Sequence, residues 1–301
     1  MIGGIVRSMR AYQWTKNLVL FAGPIFSLRI LDPAIALASV AGFLAFSLAV
    51  SAVYIFNDIL DVERDRLHPE KKNRPIASGA LPTPVAFVAV AALLAAGLGG
   101  AALLGPRFAM TAAAYVLLTG AYSLVFKRVA LLDVTAIAAG FVLRAVAGVE
   151  LVRDRTHLGP EGIAISPWLL VCAFFLALFL AIGKRLHELE TLERDAARHR
   201  AALGAYTRPL LDQMVALVTG ATVIAYSVYT ISPETVAKYH GRPLYLTIPF
   251  VVYGIFRYLY LLYAEHKGGN PSEHLLRDRA TLTNVVLWCC AVVAILLWPV
   301  S

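Results

Sequence analysis

The sequence predicts an all-α, polytopic membrane protein, and three observations carry that prediction. Of 301 residues, 59% are hydrophobic and only 15% are charged, with a mean hydropathy of +0.71, far from the usage of a soluble domain. Apolar windows of membrane-spanning length recur nine times between charged interruptions. Lys and Arg also alternate by loop. The N-terminus and the loops near 59–81, 127–130, 185–208 and 264–280, with the flanking Lys184, hold nineteen, whereas the opposite side holds six: Arg29, Arg107, Arg153, Arg155, Lys238 and Arg242. That bias places the N-terminus in the cytoplasm and the C-terminus outside a cell membrane.

The first expected span, 17–31, is the shortest and contains Pro24, which blurs its limits. The second, 34–58, runs into an acidic sequence. The third, 82–104, overlaps an Ala/Gly-rich stretch, 86–105, of the small residues that close helix packing in lipid requires. The fourth and fifth are 107–126 and 131–152, the latter carrying Arg144. The sixth, 166–184, ends in Gly183-Lys184-Arg185. The last three are 209–231, 243–263 with Arg257 inside it, and 281–299. A single integral-membrane domain over 1–301 is expected.

Composition excludes several functions. The net charge of +8 needs no nucleic acid, because cytoplasmic loops facing anionic lipid and a phosphorylated substrate account for it. Cys172, Cys289 and Cys290 all fall in apolar spans and read as small hydrophobes. There is no CxxC, HExxH or Walker-type loop, and the first apolar segment lacks a small-residue cleavage site, so Met1 is expected to stay.

The chemistry-bearing residues begin where the second span ends. Asn57-Asp58-Ile59-Leu60-Asp61-Val62-Glu63-Arg64-Asp65 puts carboxylates at the end of a long apolar stretch, where they are costly unless something binds them. Asn57, Asp61 and Asp65 lie four residues apart, so three oxygen-bearing side chains stack along one helix face. Oxygen ligands in that pattern suit Mg²⁺, which takes one or two carboxylates plus substrate phosphates. A solvated amphipathic helix end is the plain alternative. Lys71, Lys72 and Arg74 follow within ten residues of Asp65 and would supply a phosphate-binding face.

A second polar set runs from Tyr122 through Lys127 to Asp133 and on to Arg144. Asp133 and Arg144 fall within about 20° of one helix face. A guanidinium that deep in the hydrocarbon needs an anion in the bundle interior, either a ligand's phosphate or carboxylate or a helix-joining ion pair. Lys184 and Glu188, at i and i+4, read alone as a surface ion pair. Arg257, flanked by Tyr258 and Tyr260, reads as a buried structural or subunit contact.

The run Asn57 to Asp65 fits NDxxDxxxD and resembles the first signature of the UbiA-type intramembrane prenyltransferases. The resemblance implies a nine-helix UbiA-like bundle with a cytoplasm-facing active-site cavity, in which Mg²⁺ holds a diphosphate. The second acidic signature of that superfamily, DxxxD after the sixth helix, is replaced here by Gly183-Lys184-Arg185-Leu-His187-Glu188-Leu-Glu190. Within the superfamily the chain is more similar to the decaprenyl-phosphate phosphoribosyltransferase branch. The stretches that carry this are Gln13-Trp14-Thr15-Lys16-Asn17, Ser51-Ala-Val-Tyr54 through His68-Pro69, Arg74-Pro75-Ile76-Ala77, Leu143-Arg144-Ala145 with Ala147-Gly148, Gly183-Lys184-Arg185 with Glu188-Leu189, and Leu276-Arg277-Asp278-Arg279.

This branch implies transfer of 5-phosphoribosyl from phosphoribosyl pyrophosphate (PRPP) to polyprenyl phosphate, serving precursor synthesis for arabinan-type cell walls. Asn57, Asp61 and Asp65 become the catalytic, metal-holding set. Lys16, Tyr54, Asp58, Lys71, Arg74, Tyr122, Lys127, Asp133, Arg144, Lys184 and Arg185 become the substrate-binding set. A homo-oligomer in the bilayer is compatible with this reading. The competing enzyme reading, prenyl transfer from a diphosphate to an aromatic acceptor in quinone or haem synthesis, predicts the second DxxxD. A transporter predicts two related halves with interrupted helices, and no such internal repeat is found.

Overall fold

The computed structural model describes residues 2–69, 71–156, 166–192, 201–265 and 278–297. Within them the chain is helical, with no strand, and eight helices are long and apolar enough to cross a membrane. These eight coincide with the second to ninth expected spans. The first expected span, 17–31, differs. There the backbone winds as a 3₁₀ helix over Ala11–Phe21, continues as a short α-helix over Ala22–Phe26, and breaks at Leu28, whose φ of 58° is left-handed. A 3₁₀ helix rises about 2.0 Å per residue against 1.5 Å for an α-helix, so this segment still covers roughly 30 Å of contour. Of the matching stretch at 276–279, Leu276 and Arg277 lie outside the described residues, as does 193–200 of the expected cytoplasmic loop.

Backbone contacts divide the chain into two compact units, Met1–Phe126 with Leu143–Ala164, and Lys127–Val142 with Ile165–Ser301. In the first unit the Pro33–Leu60 helix is central. Pro33 opens it at a position where its missing N–H costs nothing, and the Asp32 side chain accepts from the Ala34 N–H at 2.9 Å. One face of this helix is small: Ala38, Gly42, Ala45, Ala49 and Ala52. It packs on the Thr83–Leu104 helix, where Ala86, Ala89, Gly97 and Ala101 are buried. A Cβ on Gly97 would lie 2.6 Å from the Ala49 nitrogen, so the Ala/Gly-rich sequence exists for backbone approach. A Cβ on Gly148 would overlap the Leu20 carbonyl, and one on Gly23 would overlap the Gly148 backbone. The Ala147-Gly148 pair is therefore where the Leu132–Thr156 helix receives the N-terminal segment. On the same helix Asp154 accepts from the Phe108 N–H at 2.9 Å, capping the Pro106–Leu124 helix from outside its own sequence.

The second unit is built on the Pro167–Leu192 and Arg208–Ile231 helices, with Phe179, Ile182, Leu186, Leu211 and Val215 among the buried side chains between them. The Ile248–Tyr263 helix adds Ile255, Tyr258 and Leu262 to that core. Gly183 is matched to Tyr258: a Cβ there would meet the phenol oxygen at 2.9 Å. The Arg279–Leu297 helix is pinned at its start by Asp278, which accepts from the Thr281 N–H at 2.9 Å and from Arg257 in a two-pronged contact at 3.0 and 2.7 Å. Arg257 is therefore a structural clasp.

Candidate active site

The acidic run sits where a long helix breaks and restarts. The Pro33–Leu60 helix ends at Asp61, whose φ of −98° and ψ of 5° are non-helical, and the six-residue Val62–Leu67 helix follows. The expected single uninterrupted face is thus kinked at its middle residue, although the i to i−4 bonds persist: the Asp61 N–H donates to the Asn57 carbonyl at 3.0 Å and the Asp65 N–H to the Asp61 carbonyl at 2.8 Å. Asn57 and Asp61 stay together, the Asn57 amide donating to the Asp61 carboxylate at 3.0 Å. Asp65 turns instead to Arg74, which donates to it at 2.6 Å.

Asp58 faces inward, 2% exposed, and binds two guanidinium groups, Arg10 at 2.5 Å and Arg74 at 3.0 Å. Two arginines and two aspartates therefore form one partly buried network. Its charges balance, which offsets the desolvation each would otherwise suffer. Arg10 is a residue that sequence reasoning missed. Its partner lies 48 positions away, it adopts a left-handed φ of 52°, and its guanidinium lies 5.5 Å from the centre of the Tyr54 ring. Only its place three residues before the Gln13-Trp14-Thr15-Lys16-Asn17 stretch hinted at it.

That stretch has a structural meaning as well. The Trp14 indole N–H donates to Ser51 at 3.0 Å and the Asn17 amide to Ser47 at 2.9 Å, seating the 3₁₀ segment on the Pro33–Leu60 helix. The Asn17 oxygen accepts from Arg144 Nε at 2.9 Å, and Tyr115 OH accepts from the same guanidinium at 2.5 Å, with the Tyr115 ring centre at 4.7 Å. Arg144 is buried and fully oriented by these groups. Arg144 thus finds these partners on the N-terminal segment and on the Pro106–Leu124 helix. Lys16, Tyr54 and Lys71 are half-buried in the same unit, as is Tyr122 on the Pro106–Leu124 helix.

In the second unit Asp133 is fully buried. It accepts from Arg185 Nε at 2.7 Å and from the Tyr206 hydroxyl at 2.7 Å. Arg185, 1% exposed, also donates to Glu188, whose second oxygen lies 3.8 Å from Lys184 Nζ. Burial, and the bond to Asp133, push the Tyr206 phenol well above its ordinary pKa. Lys127 lies in the short Phe126–Arg128 turn that precedes this cluster and is half-buried.

Among the described residues, no three His, Cys, Asp or Glu side chains converge as a metal cage. The donor set nevertheless fits Mg²⁺, which is held by one or two carboxylates with water and substrate phosphates completing the shell. Asn57 and Asp61 would hold it, with Asp65 beside them, and Arg74 stands next to this set with a cation for the same phosphates.

Known proteins agree with this architecture. The chain is 32% identical over 300 residues to a decaprenyl-phosphate phosphoribosyltransferase of Mycobacterium tuberculosis, covering 97% of this chain and 94% of that one. It is 33% identical to a decaprenyl-phosphate phosphoribosyltransferase of Corynebacterium glutamicum, covering 98% and 88%. Its fold is similar to that of a UbiA homolog from Archaeoglobus fulgidus solved with GPP and Mg²⁺, at a TM-score of 0.72 and 20% identity over 97% of this chain and 99% of the other. Residues 18–277 match the profile of the UbiA prenyltransferase family, and with the curated relatives spanning nearly end to end, the chain belongs to that family.

Proposed function

We propose that this protein transfers 5-phosphoribosyl from PRPP to a polyprenyl phosphate and releases pyrophosphate. The observation that carries the reading is the similarity, nearly end to end, to relatives named decaprenyl-phosphate phosphoribosyltransferase. In the reaction a phosphate oxygen of the lipid forms a bond to ribose C1 as the bond from C1 to the pyrophosphate oxygen breaks, and that electron pair leaves with pyrophosphate. A phosphate monoester is already an anion near neutral pH, so the nucleophile needs no strong general base. Catalysis then becomes positioning and charge stabilisation.

Asn57 and Asp61 would hold the divalent cation, with Asp65 beside them. Mg²⁺ bound there supplies Lewis-acid neutralisation of the leaving pyrophosphate. Arg74 and Lys71 pair with the phosphates of PRPP, and Asp58 holds Arg74 and Arg10 in place for that contact. Arg144, set by Asn17 and Tyr115, orients a phosphate of the lipid or of the ribose. Lys127 and Lys184 supply further cations for the phosphate on ribose C5. In this reading PRPP is drawn from the cytoplasm, with the N-terminus on that side and the C-terminus across the plasma membrane. The lipid product feeds synthesis of an arabinan-type cell-wall precursor.

The test is direct. Purified protein is given PRPP, Mg²⁺ and decaprenyl phosphate, and pyrophosphate release is followed together with the appearance of a phosphoribosylated lipid. Both products are expected, and neither without the lipid or the metal. Failure with PRPP, alongside turnover of a prenyl diphosphate with an aromatic acceptor, overturns the assignment.

A further inference from the structure

We infer that Tyr206 and Asp133 are positioning residues that act on Lys184 through Arg185 and Glu188, and that Arg185 belongs to this brace and does not itself touch substrate. The inference rests on the proposed phosphoribosyl transfer only for the role of Lys184, and the brace itself is tested separately below.

The contacts form an unbroken polar chain. The Leu131 N–H donates to the Tyr206 hydroxyl at 2.7 Å, and that hydroxyl donates to one oxygen of Asp133 at 2.7 Å. The other Asp133 oxygen accepts from Arg185 Nε at 2.7 Å. Arg185 NH1 donates to Glu188, and the second Glu188 oxygen lies 3.8 Å from Lys184 Nζ. Exposure rises along this chain, from 0% at the Asp133 side chain and 1% at Arg185 to 22% at Glu188 and 41% at Lys184. Its buried end ties together the start of the Leu132–Thr156 helix, the segment entering the Arg208–Ile231 helix, and the last turns of the Pro167–Leu192 helix.

Two physical arguments separate a brace from plain stability. A fully buried ion pair holds helices no better than apolar side chains of the same volume, because desolvation cancels most of the attraction. What fixed hydrogen-bond directions add is orientation. Leu131 carries a left-handed φ of 69°, unfavourable for a branched non-glycine residue, and its N–H is one of the groups that Tyr206 secures. Arg185 is 1% exposed, with one donor committed inward to Asp133 and another committed to Glu188, which is poor placement for a phosphate ligand. Lys184 is the cation that this chain leaves at the surface.

The experiment uses the full chain in lipid nanodiscs. Amine acylation at Lys184 is measured by mass spectrometry against Lys72, an exposed lysine of the first unit, in wild type and Tyr206→Phe. Loss of one buried hydrogen bond is expected to change the Lys184 rate by roughly three- to tenfold with Lys72 unchanged. An unchanged Lys184 rate overturns the brace, whatever the enzyme's substrate. Kinetics supply the second readout. Tyr206→Phe and Arg185→Lys should each raise KM for PRPP by a similar factor with kcat held within about twofold, and neither should add to the effect of Lys184→Ala. Additive effects, or a loss confined to thermal stability, overturn the positioning role. No turnover of PRPP in wild type, with the Lys184 rate still shifted, refutes the proposed reaction and leaves the brace standing.

Discussion

Arg74 donates to Asp65 at 2.6 Å and to Asp58 at 3.0 Å, so one guanidinium joins the last acidic residue of the motif to the buried one beside Asn57. Asp61 belongs to the other half of the site, paired with Asn57. The three aspartates therefore do different work, and substitutions should separate them.

Asp61→Asn is expected to lower kcat by two to three orders of magnitude, the usual scale for removing charge stabilisation at a leaving group. Its melting temperature should stay near wild type, since the residue packs no core and the amide can still bond Asn57. Asp65→Asn should do the reverse. It breaks a partly buried ion pair, so thermal stability falls, while kcat drops less and KM for PRPP rises because Arg74 loses one of its two carboxylate contacts and is left on Asp58 alone. Steady-state kinetics and thermal melts on both variants decide it. Normal turnover and Mg²⁺ dependence in Asp61→Asn would sink the assigned site.

Arg144→Met keeps bulk while deleting a buried cation. If Arg144 orients a substrate phosphate, the variant binds PRPP or lipid phosphate at least tenfold more weakly, a loss of about 1.4 kcal/mol. Its stability without substrate should fall only modestly, because losing the desolvation cost of a buried cation offsets the about 1–3 kcal/mol of leaving Asn17 and Tyr115 without that donor. A marked drop in melting temperature with normal binding would make Arg144 scaffolding for Asn17 and Tyr115.

Gly148→Ala is a test of packing alone. The added methyl would overlap the Leu20 carbonyl, a backbone atom that cannot rotate away. Overpacking against backbone costs on the order of 1–3 kcal/mol or more, so the variant should express poorly or melt far below wild type. Gly99→Ala is the control, with nothing within 4 Å of its added Cβ. It should melt at or slightly above wild type.

Asp278 offers a pH prediction. Its bonds to Arg257, and then to Thr281, hold its carboxyl below the usual carboxylate range against the opposing effect of burial. The folded value lies below the unfolded one of about 3.9, so this clasp contributes its full stability above that pH. The contribution fades as pH falls toward the lowered folded value, because protonation removes the charge that Arg257 needs. Wild type should therefore melt higher than Asp278→Asn at pH 7, and the two curves should converge as pH drops below about 4. A difference that persists unchanged through acid would mean that the clasp is not electrostatic.

How much of this was legible depends on which interaction sets each feature. Hydropathy located eight helices, but it marks the membrane and not the end of a helix. The expected span 166–184 runs on to Leu192 as a helix because Lys184, Arg185 and Glu188 pair along it once it leaves the apolar region. What seats the N-terminal segment was not legible, because Trp14 and Asn17 bind serines of a neighbouring helix and apolar periodicity says nothing of those bonds. Spacing relates Asp133 and Arg144 only to one another, and partners of theirs come from sequence positions 17, 115, 185 and 206. Such long-range pairs leave no local signal. Arg10 is the clearest case, since nothing near it in sequence announces Asp58. The Asn57-to-Asp65 motif was legible because four-residue spacing is local, and its backbone bonds survive even the kink at Asp61.

The last prediction concerns donor choice. An aromatic prenyltransferase of this superfamily resembles the present chain in its first acidic motif but carries a second one after the sixth span. Here that position holds Gly183-Lys184-Arg185, with Lys184 at the surface and Arg185 turned inward on Asp133. A surface cation there suits a donor with a further phosphate at ribose C5 and gives nothing to a prenyl chain. In Mg²⁺, PRPP should therefore raise the melting temperature well above the rise from geranyl or farnesyl diphosphate at equal concentration. A ligand at a hundred times its Kd adds about 2.7 kcal/mol, which is easily read in a melt. Lys184→Ala should shrink the gap between the two donors while leaving the smaller protection by prenyl diphosphates as it was. Greater protection by prenyl diphosphates in the unmutated protein would transfer the assignment to aromatic prenylation.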